Sequence, residues 1–231
     1  MKNTNYIGLI FIILIFGFIF IPKILSRITQ QKIVESNRSQ SSTPLHYVLL
    51  NGEAKKVPEF TFLNQDSLMI SNEDFNSKVY VAEFFFTSCP SICPIMNKNM
   101  KRIEDRFGER YDFGIASFSI DPSKDTPSVL KAYADSYNVF SQNWHFLTGE
   151  KERIFNLANE GFNIFASVNS RVAGGFEHQG YFALIDKNGF IRCRSDQFGN
   201  PIVYYMGIDE ENVEVQEVDL LIEDIEKLLK E

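Results

Sequence analysis

Val79-Tyr80-Val81-Ala82-Glu83-Phe84-Phe85-Phe86-Thr87-Ser88-Cys89-Pro90-Ser91-Ile92-Cys93-Pro94 is the stretch on which the reading of this chain turns. Its first half is a near-continuous apolar run, the pattern of a strand buried on both faces. Its second half changes period: Ile92, Met96, Met100, Ile103 and Phe107 keep helical spacing. Pro94 suits the first turn of that helix, where a missing N–H costs nothing. Two thiols four residues apart therefore stand where a buried strand turns into a helix. Such a pair can hold a soft metal ion or cycle through a disulfide.

Working outward, strands and helices alternate. Phe60 to Leu63 reads as a short strand, with a turn at Asn64-Gln65-Asp66-Ser67. Phe113 to Ile120 is a second buried strand, and Thr126 to Tyr137 a helix with Pro127 near its start. Asn143 to Leu147 reads as a short strand, followed by a helix from Glu150 to Glu160. Tyr181 to Ile185 and Phe190 to Arg194 form a hairpin across Asp186-Lys187-Asn188-Gly189. Val218, Leu221, Ile222, Ile225, Leu228 and Leu229 mark a closing amphipathic helix. This order predicts an α/β sandwich of the thioredoxin type. If the strands ending at Phe86 and Ile120 are parallel, Cys89, Cys93 and Asp121 share the carboxyl edge, where open α/β sheets bind ligands. An antiparallel strand from Tyr181 would bring His178 to the same edge.

The chain has 231 residues, a net charge of −7 and no basic stripe, which argues against nucleic acid as a partner. The acidity gathers near the C-terminus, from Asp209 to Glu226, and reads as a solvated helix face. A globular segment of roughly 180 residues buries about 70% of its unfolded surface and needs no disulfide staples. Tyr6 to Ile21 carries no charge and is nearly all Ile, Leu and Phe. Extended to Leu25, it approaches the ~20 residues that span a bilayer. Its flanks make a poor signal-cleavage site, so an uncleaved N-terminal transmembrane helix is expected. The expected organisation is an anchor over 1–29, a polar linker over 30–56 and the thioredoxin-like domain over 57–231. Lys23, Arg27 and Lys32 after the apolar run mildly favour a cytoplasmic domain by the positive-inside rule.

Two thiolates and an imidazole suit copper or zinc, and thiolate softness favours Cu(I). The helix N-terminus beside Cys93 should lower a thiol pKa towards the thiolate a metal needs. A structural zinc site would need a fourth ligand. Cys193 is the candidate, but between Arg192 and Arg194 it reads as an incidental strand residue. A static Cys89–Cys93 disulfide would close too short a loop to constrain much unfolded entropy. Asp121 suits either an Asp-Pro turn or a supporting position beside the metal. Gly174, Gly175 and Gly180 bracket His178 and let its loop approach closely. His46 is expected to be exposed and idle, His145 to pack, and Met96 and Met100 to belong to the core.

Four segments together resemble the Sco (SenC) family of membrane-anchored, thioredoxin-fold copper chaperones. They are Phe-Thr-Ser-Cys-Pro-Ser-Ile-Cys-Pro (86–94), Ser-Ile-Asp-Pro-Ser-Lys-Asp-Thr-Pro (119–127), Trp-His-Phe-Leu-Thr-Gly (144–149) and His-Gln-Gly-Tyr-Phe-Ala-Leu-Ile-Asp (178–186). The resemblance implies copper, as Cu(I) or Cu(II), on Cys89, Cys93 and His178, with Asp121 assisting. It implies assembly of the dinuclear copper centre of cytochrome c oxidase, by delivering metal to the copper-bearing subunit, reducing that subunit's cysteines, or both. It also implies a single membrane anchor with the domain outside the cytoplasm, against the mild charge bias above. The absence of transit features before Tyr6 points to a bacterial protein. Gln179 departs from the Ser usual after the ligand histidine.

The main rival is a membrane-tethered thiol–disulfide oxidoreductase, with Cys89 and Cys93 as the redox pair. Such reductases carry CxxC and a Pro just before the antiparallel strand. This chain has CxxxC and no Pro between Pro127 and Pro201. A peroxiredoxin is a weaker rival still, because neither cysteine follows a Thr three residues earlier: Phe86 stands there before Cys89 and Pro90 before Cys93. A third reading is a redox or copper sensor that signals through the anchor.

Overall fold

The computed structural model describes Leu14, Phe16, Phe18, Phe20, Ile21 and residues 44–196, 198–213 and 215–231. The chain divides into two compact units, residues 1–37 and 38–231. In the first, the five described residues are helical and exposed. Among the described residues, no helix is long and apolar enough to cross a membrane. The rest of the expected anchor, and residues 30–43 of the expected linker, lie outside the described residues.

The second unit is built on an eight-stranded sheet. Its elements are β1 (His46–Tyr47), β2 (Leu49–Leu50), β3 (Glu53–Ala54), β4 (Thr61–Leu63), β5 (Met69–Ser71), β6 (Val79–Phe85), α1 (Cys93–Phe107), β7 (Phe113–Ser119), α2 (Pro127–Ser136), β8 (Trp144–Leu147), α3 (Lys151–Asn156), β9 (Ala166–Val168), β10 (Phe176–His178), β11 (Tyr181–Ile185), β12 (Ile191–Ser195), β13 (Pro201–Ile202), β14 (Tyr205–Met206) and α4 (Glu217–Lys230). The order β1-β12-β11-β6-β7-β8 places β6 in the interior, with β13 on β12 and β14 on β11. β6, β7 and β8 run parallel, and β11 runs antiparallel to β6. All seven residues of β6 and of β7 are buried, which explains their near-continuous apolar pattern.

The two sheet faces are covered differently. On one, Phe85 stacks on Tyr133 of α2, and Gly207 lies close to both Phe182 and Met96 of α1. On the other, Phe84, Phe118 and Phe162 form an aromatic cluster with Phe60 and Phe62. The expected helix from Glu150 to Glu160 is α3 followed by a π-helical turn, Leu157–Phe162, closed by Asn163 in the left-handed conformation. That turn seats Phe162 against Phe84 and Phe118. Residues 44–56 carry three short strands, and β1 pairs with β12 in the main sheet.

The acidic C-terminal run is not simply a solvated face. Asp224 of α4 is fully buried, 3.2 Å from the buried Arg194 Nε, and accepts a 2.7 Å hydrogen bond from the Tyr205 hydroxyl. Arg192 joins Asp186 and Glu231, while Asp219 and Glu226 reach Arg102 and Arg106 of α1. Lys227 on α4 itself also reaches Asp224 at 2.9 Å, but these four arginines sit on other elements, and no local pattern around the acids announces them. Removing one partner of a buried ion pair strands the other's charge. Asp224→Ala is therefore expected to destabilise the chain by about 3–5 kcal/mol. Arg106→Ala, at an exposed pair, should cost less than about 1 kcal/mol. Urea unfolding of the two variants measures the difference, and equal midpoints would refute it.

Candidate metal centre

Cys89 sits on the loop that carries the chain from β6 into α1, and the carboxylate of Asp125 holds that loop. Thr87 donates to it twice, from its backbone N–H at 3.0 Å and its hydroxyl at 2.5 Å, and Ser119 donates its hydroxyl at 2.5 Å. One buried carboxylate thus ties the ends of two neighbouring parallel strands. Cys93 opens α1, with Pro94 behind it in the first turn, and is fully buried. Cys89 is also buried, at 7% exposure. All three cysteines are free thiols.

His178 ends β10, on a two-stranded ribbon with β9 outside the main sheet. The ribbon leans on the cysteine loop. The Phe86 ring lies 5.3 Å from Phe176 and edge-on to His178 at 5.9 Å. A Cβ on Gly174, where φ is +89°, would meet that ring at 2.9 Å, so this approach requires glycine. Gln179, where the resemblance expects Ser, clamps the base of the ribbon. Its N–H donates to the Phe165 carbonyl, and its side-chain oxygen accepts from the Phe165 N–H.

His178 Nδ1 lies 3.2 Å from the Gln179 carbonyl, which can only accept. The proton is therefore assigned to Nδ1, which leaves the Nε2 lone pair facing Cys93 Sγ at 3.3 Å. One donor atom from each of Cys89, Cys93 and His178 lies within 4.8 Å of the others. Ligands held about 2.0–2.3 Å from an ion stand roughly 3.5–4 Å apart, so the group needs little adjustment to close on one. Two sulfurs and an imidazole match a soft ion of low coordination number. Among the described residues no fourth Cys, His, Asp or Glu joins them, which leaves the structural zinc geometry incomplete.

The two thiols are unequal. Cys89 is held well below the usual thiol range, chiefly because the Cys93 thiol donates to it, against the opposing effect of burial. Cys93 is pushed up: ionising it would forfeit that donation and place a second negative charge in a buried site. The expectation that the helix N-terminus would favour a thiolate at Cys93 is thus corrected. Burial and the neighbouring sulfur outweigh the dipole, and Cys89 carries the charge.

Asp121 stands apart from the group of three. It is buried, its Oδ1 accepts from Ser123 at 2.6 Å, and its Oδ2 pairs with Lys124 at 3.4 Å. Asp125, four residues on in the same quoted segment, was overlooked as a brace; its companions Thr87 and Ser119 were in view, but no spacing rule links them. Cys193 is buried on β12, opposite His46 of β1, and burial pushes its thiol up. His145 packs edge-on to Phe75 with Nδ1 3.3 Å from Asn64. His46 is exposed, and Met96 and Met100 are fully buried.

The chain matches a family model described as SCO1/SenC over residues 50–211. It is 33% identical over 153 residues to the SCO1 protein homolog of Bacillus subtilis (strain 168), covering 65% of this chain and 74% of the relative. It is 27% identical over 151 residues to a putative copper-binding protein of Stutzerimonas stutzeri, covering 63% and 71%. Among solved structures it resembles BsSco, described as a member of the Sco family of cytochrome c oxidase assembly proteins with a disulfide switch. That likeness has a TM-score of 0.61 at 31% identity, over 83% of this chain and 99% of the other.

A thiol with a lowered pKa stays ionised below the ordinary range near 8.5, so its reactivity persists on acidification. Alkylation of Cys89 by iodoacetamide should stay nearly constant from about pH 8 to about pH 6, while Cys93 and Cys193 react far more slowly. Peptide mapping of the alkylated full chain reads this out. A tenfold fall per pH unit at Cys89 would mark an ordinary thiol.

Proposed function

Because the chain belongs to the SCO1/SenC family, we propose that it is a membrane-anchored copper chaperone for the dinuclear copper centre of cytochrome c oxidase. The observation that carries this reading is the Cys89–Cys93–His178 group. Its three donor atoms are already gathered, and the Nε2 lone pair faces a sulfur. The relative named a putative copper-binding protein and the likeness to an oxidase assembly protein agree with it.

In this reading copper is cargo. Cys89, already ionised, takes the ion first. Cys93 then gives up its proton and closes the sulfur pair, because a metal ligand must be deprotonated. His178 completes the set, held in the right tautomer by the Gln179 carbonyl. Asp125 holds the loop that carries Cys89, and Asp121 keeps the assisting role that the family resemblance implies. The partner is the copper-bearing subunit of the oxidase. The uncharged run from Tyr6 to Ile21 serves as a single N-terminal anchor, with the domain on the extracytoplasmic side, where that centre is built.

A second reading is reduction of the client's cysteines. The pairing of one ionised, more accessible thiol with one protonated, buried thiol favours it, since that division suits an attacking and a resolving cysteine. Both readings use the same two sulfurs.

Competition titration of the anaerobically reduced full chain in detergent tests the copper reading. One Cu(I) should bind tightly, and Cys89→Ser or Cys93→Ser should abolish tight binding. Retained stoichiometry in either variant would remove the site. His178→Ala should weaken Cu(II) at least about tenfold more than Cu(I), about 1.4 kcal/mol, because two thiolates still hold the softer ion. Equal weakening of both ions would count against His178 as a ligand.

A further inference from the structure

The backbone carbonyl of Gln179 has two claimants. The ribbon β9–β10 pairs Glu177 with Ser167 and His178 with Ala166, so the next antiparallel pair is Gln179 with Phe165. Hydrogen-bonded pairs alternate with non-bonded ones along such a ladder. At the outer end of the ribbon the Asn169 N–H donates to the Gly175 carbonyl at 3.0 Å. Four residues on from Gly175, Gln179 therefore stands at a rung, where each partner's N–H ordinarily meets the other's carbonyl. One half of this exchange is regular: the Gln179 N–H donates to the Phe165 carbonyl at 3.0 Å. The other half is displaced. The Phe165 N–H donates to the side-chain oxygen of Gln179 at 2.9 Å, while the Gln179 backbone carbonyl faces His178 Nδ1 at 3.2 Å.

The path of the chain accounts for the displaced carbonyl. Gly180 follows at once, and its own carbonyl accepts from the Gly207 N–H, next to β14, at 2.7 Å. The chain thus leaves the ribbon and enters β11 across these two residues. A Cβ at Gly180 would meet Ile208 at 2.8 Å, so the crossing also needs a residue without one. A carbonyl turned off its rung leaves the opposing N–H to find another acceptor. Only the oxygen of an amide side chain can meet an N–H, which settles how the Gln179 side chain is oriented. The serine that the family resemblance expects here has a side chain that ends two bonds earlier, short of where this oxygen stands.

We propose that Gln179 is a positioning residue for His178: its side-chain oxygen stands in for its own carbonyl on the ribbon rung, and the carbonyl so released holds the histidine's proton on Nδ1. The Nε2 lone pair then faces the sulfurs, 3.3 Å from Cys93 Sγ, before any ion arrives. The functional meaning of this rests on the copper reading. A ring already in the ligating tautomer and orientation closes on an ion without first rearranging. The benefit falls on Cu(II) more than on Cu(I), since the two sulfurs hold the softer ion with less help from nitrogen. The ribbon has a second brace that leaves this carbonyl alone. Asn159 donates to the Ala166 carbonyl at 2.9 Å and accepts from the Ala166 N–H at 3.0 Å, across the ribbon from His178.

The test uses the full chain in detergent, reduced and free of metal, with its three histidines isotopically labelled at nitrogen. At about pH 8 an ordinary imidazole is neutral, and nitrogen–proton correlation spectra report which nitrogen of each ring carries the proton. A His178→Asn sample assigns the signals. In the wild type His178 should be protonated on Nδ1. Gln179→Met keeps the length of the side chain and removes the acceptor. The rung should then reclaim the carbonyl, the His178 proton should move to Nε2, and Cu(II) affinity should fall about tenfold. Gln179→Glu keeps an oxygen in place and should keep the wild-type tautomer. Asn159→Ala loosens the same ribbon without claiming the carbonyl and should also keep it. A proton on Nε2 in the wild type would overturn the proposal, as would an unchanged tautomer in Gln179→Met. An equal change in Asn159→Ala would overturn it too, by assigning the effect to ribbon packing. A wild-type chain with the expected tautomer that binds no copper would remove the copper reading alone and leave the placement of the proton standing.

Discussion

The pairing of β6 is the constraint on which the rest of the molecule depends. β7 lies parallel on one side and β11 antiparallel on the other, so the end of β6 and the start of β11 meet at one sheet edge. That places Cys89 and Cys93, which follow β6, opposite His178, which precedes β11, although 85 residues separate Cys93 from His178. A one-residue slip in either register would turn the ligand loops to the wrong face. Burial of both faces of β6 fixes the register against such slips.

Upon that frame, charge decides which sulfur reacts. Two thiols at hydrogen-bond range share one proton more favourably than they hold two charges, and Cys93 is the more deeply buried. The helix N-terminus, which alone would favour a thiolate at Cys93, is overruled. Asp125 keeps the arrangement stiff by gathering donors from the ends of β6 and β7. The ribbon bearing His178 has a lighter hold: the Gln179–Phe165 clamp at its base and contact of Gly174 and Phe176 with the Phe86 ring. A cysteine loop tied to the core and a histidine on a separate ribbon suit the proposed role, in which the site would both grip an ion and release it.

Much of the fold was legible because its strands are buried on both faces and its helices are amphipathic. The run from Val79 to Phe86 and the spacing of Met96, Met100 and Ile103 leave little choice of element. The short edge strands were not legible, since pairs such as His46–Tyr47 and Tyr205–Met206 are too brief to carry a period. The ribbon β9–β10 was missed because its hairpin tip holds as many polar residues and glycines as a loop. The buried Asp224 of α4 was misread because its partner Arg194 lies on a strand that chain distance separates from it.

The sequence by itself determined the α/β order, the cysteine pair at a strand-to-helix junction and the histidine before the antiparallel strand. Those features are local, or follow from strand direction, and residue spacing carries both. Only the tertiary structure decided which thiol holds the charge, which ring nitrogen faces the sulfur, and that Asp125 belongs to the neighbourhood of the site. Each of these depends on distances between side chains remote in sequence and on the exclusion of water around them. Desolvation and hydrogen bonding in a packed interior are properties of the neighbourhood, and no single segment contains the neighbourhood.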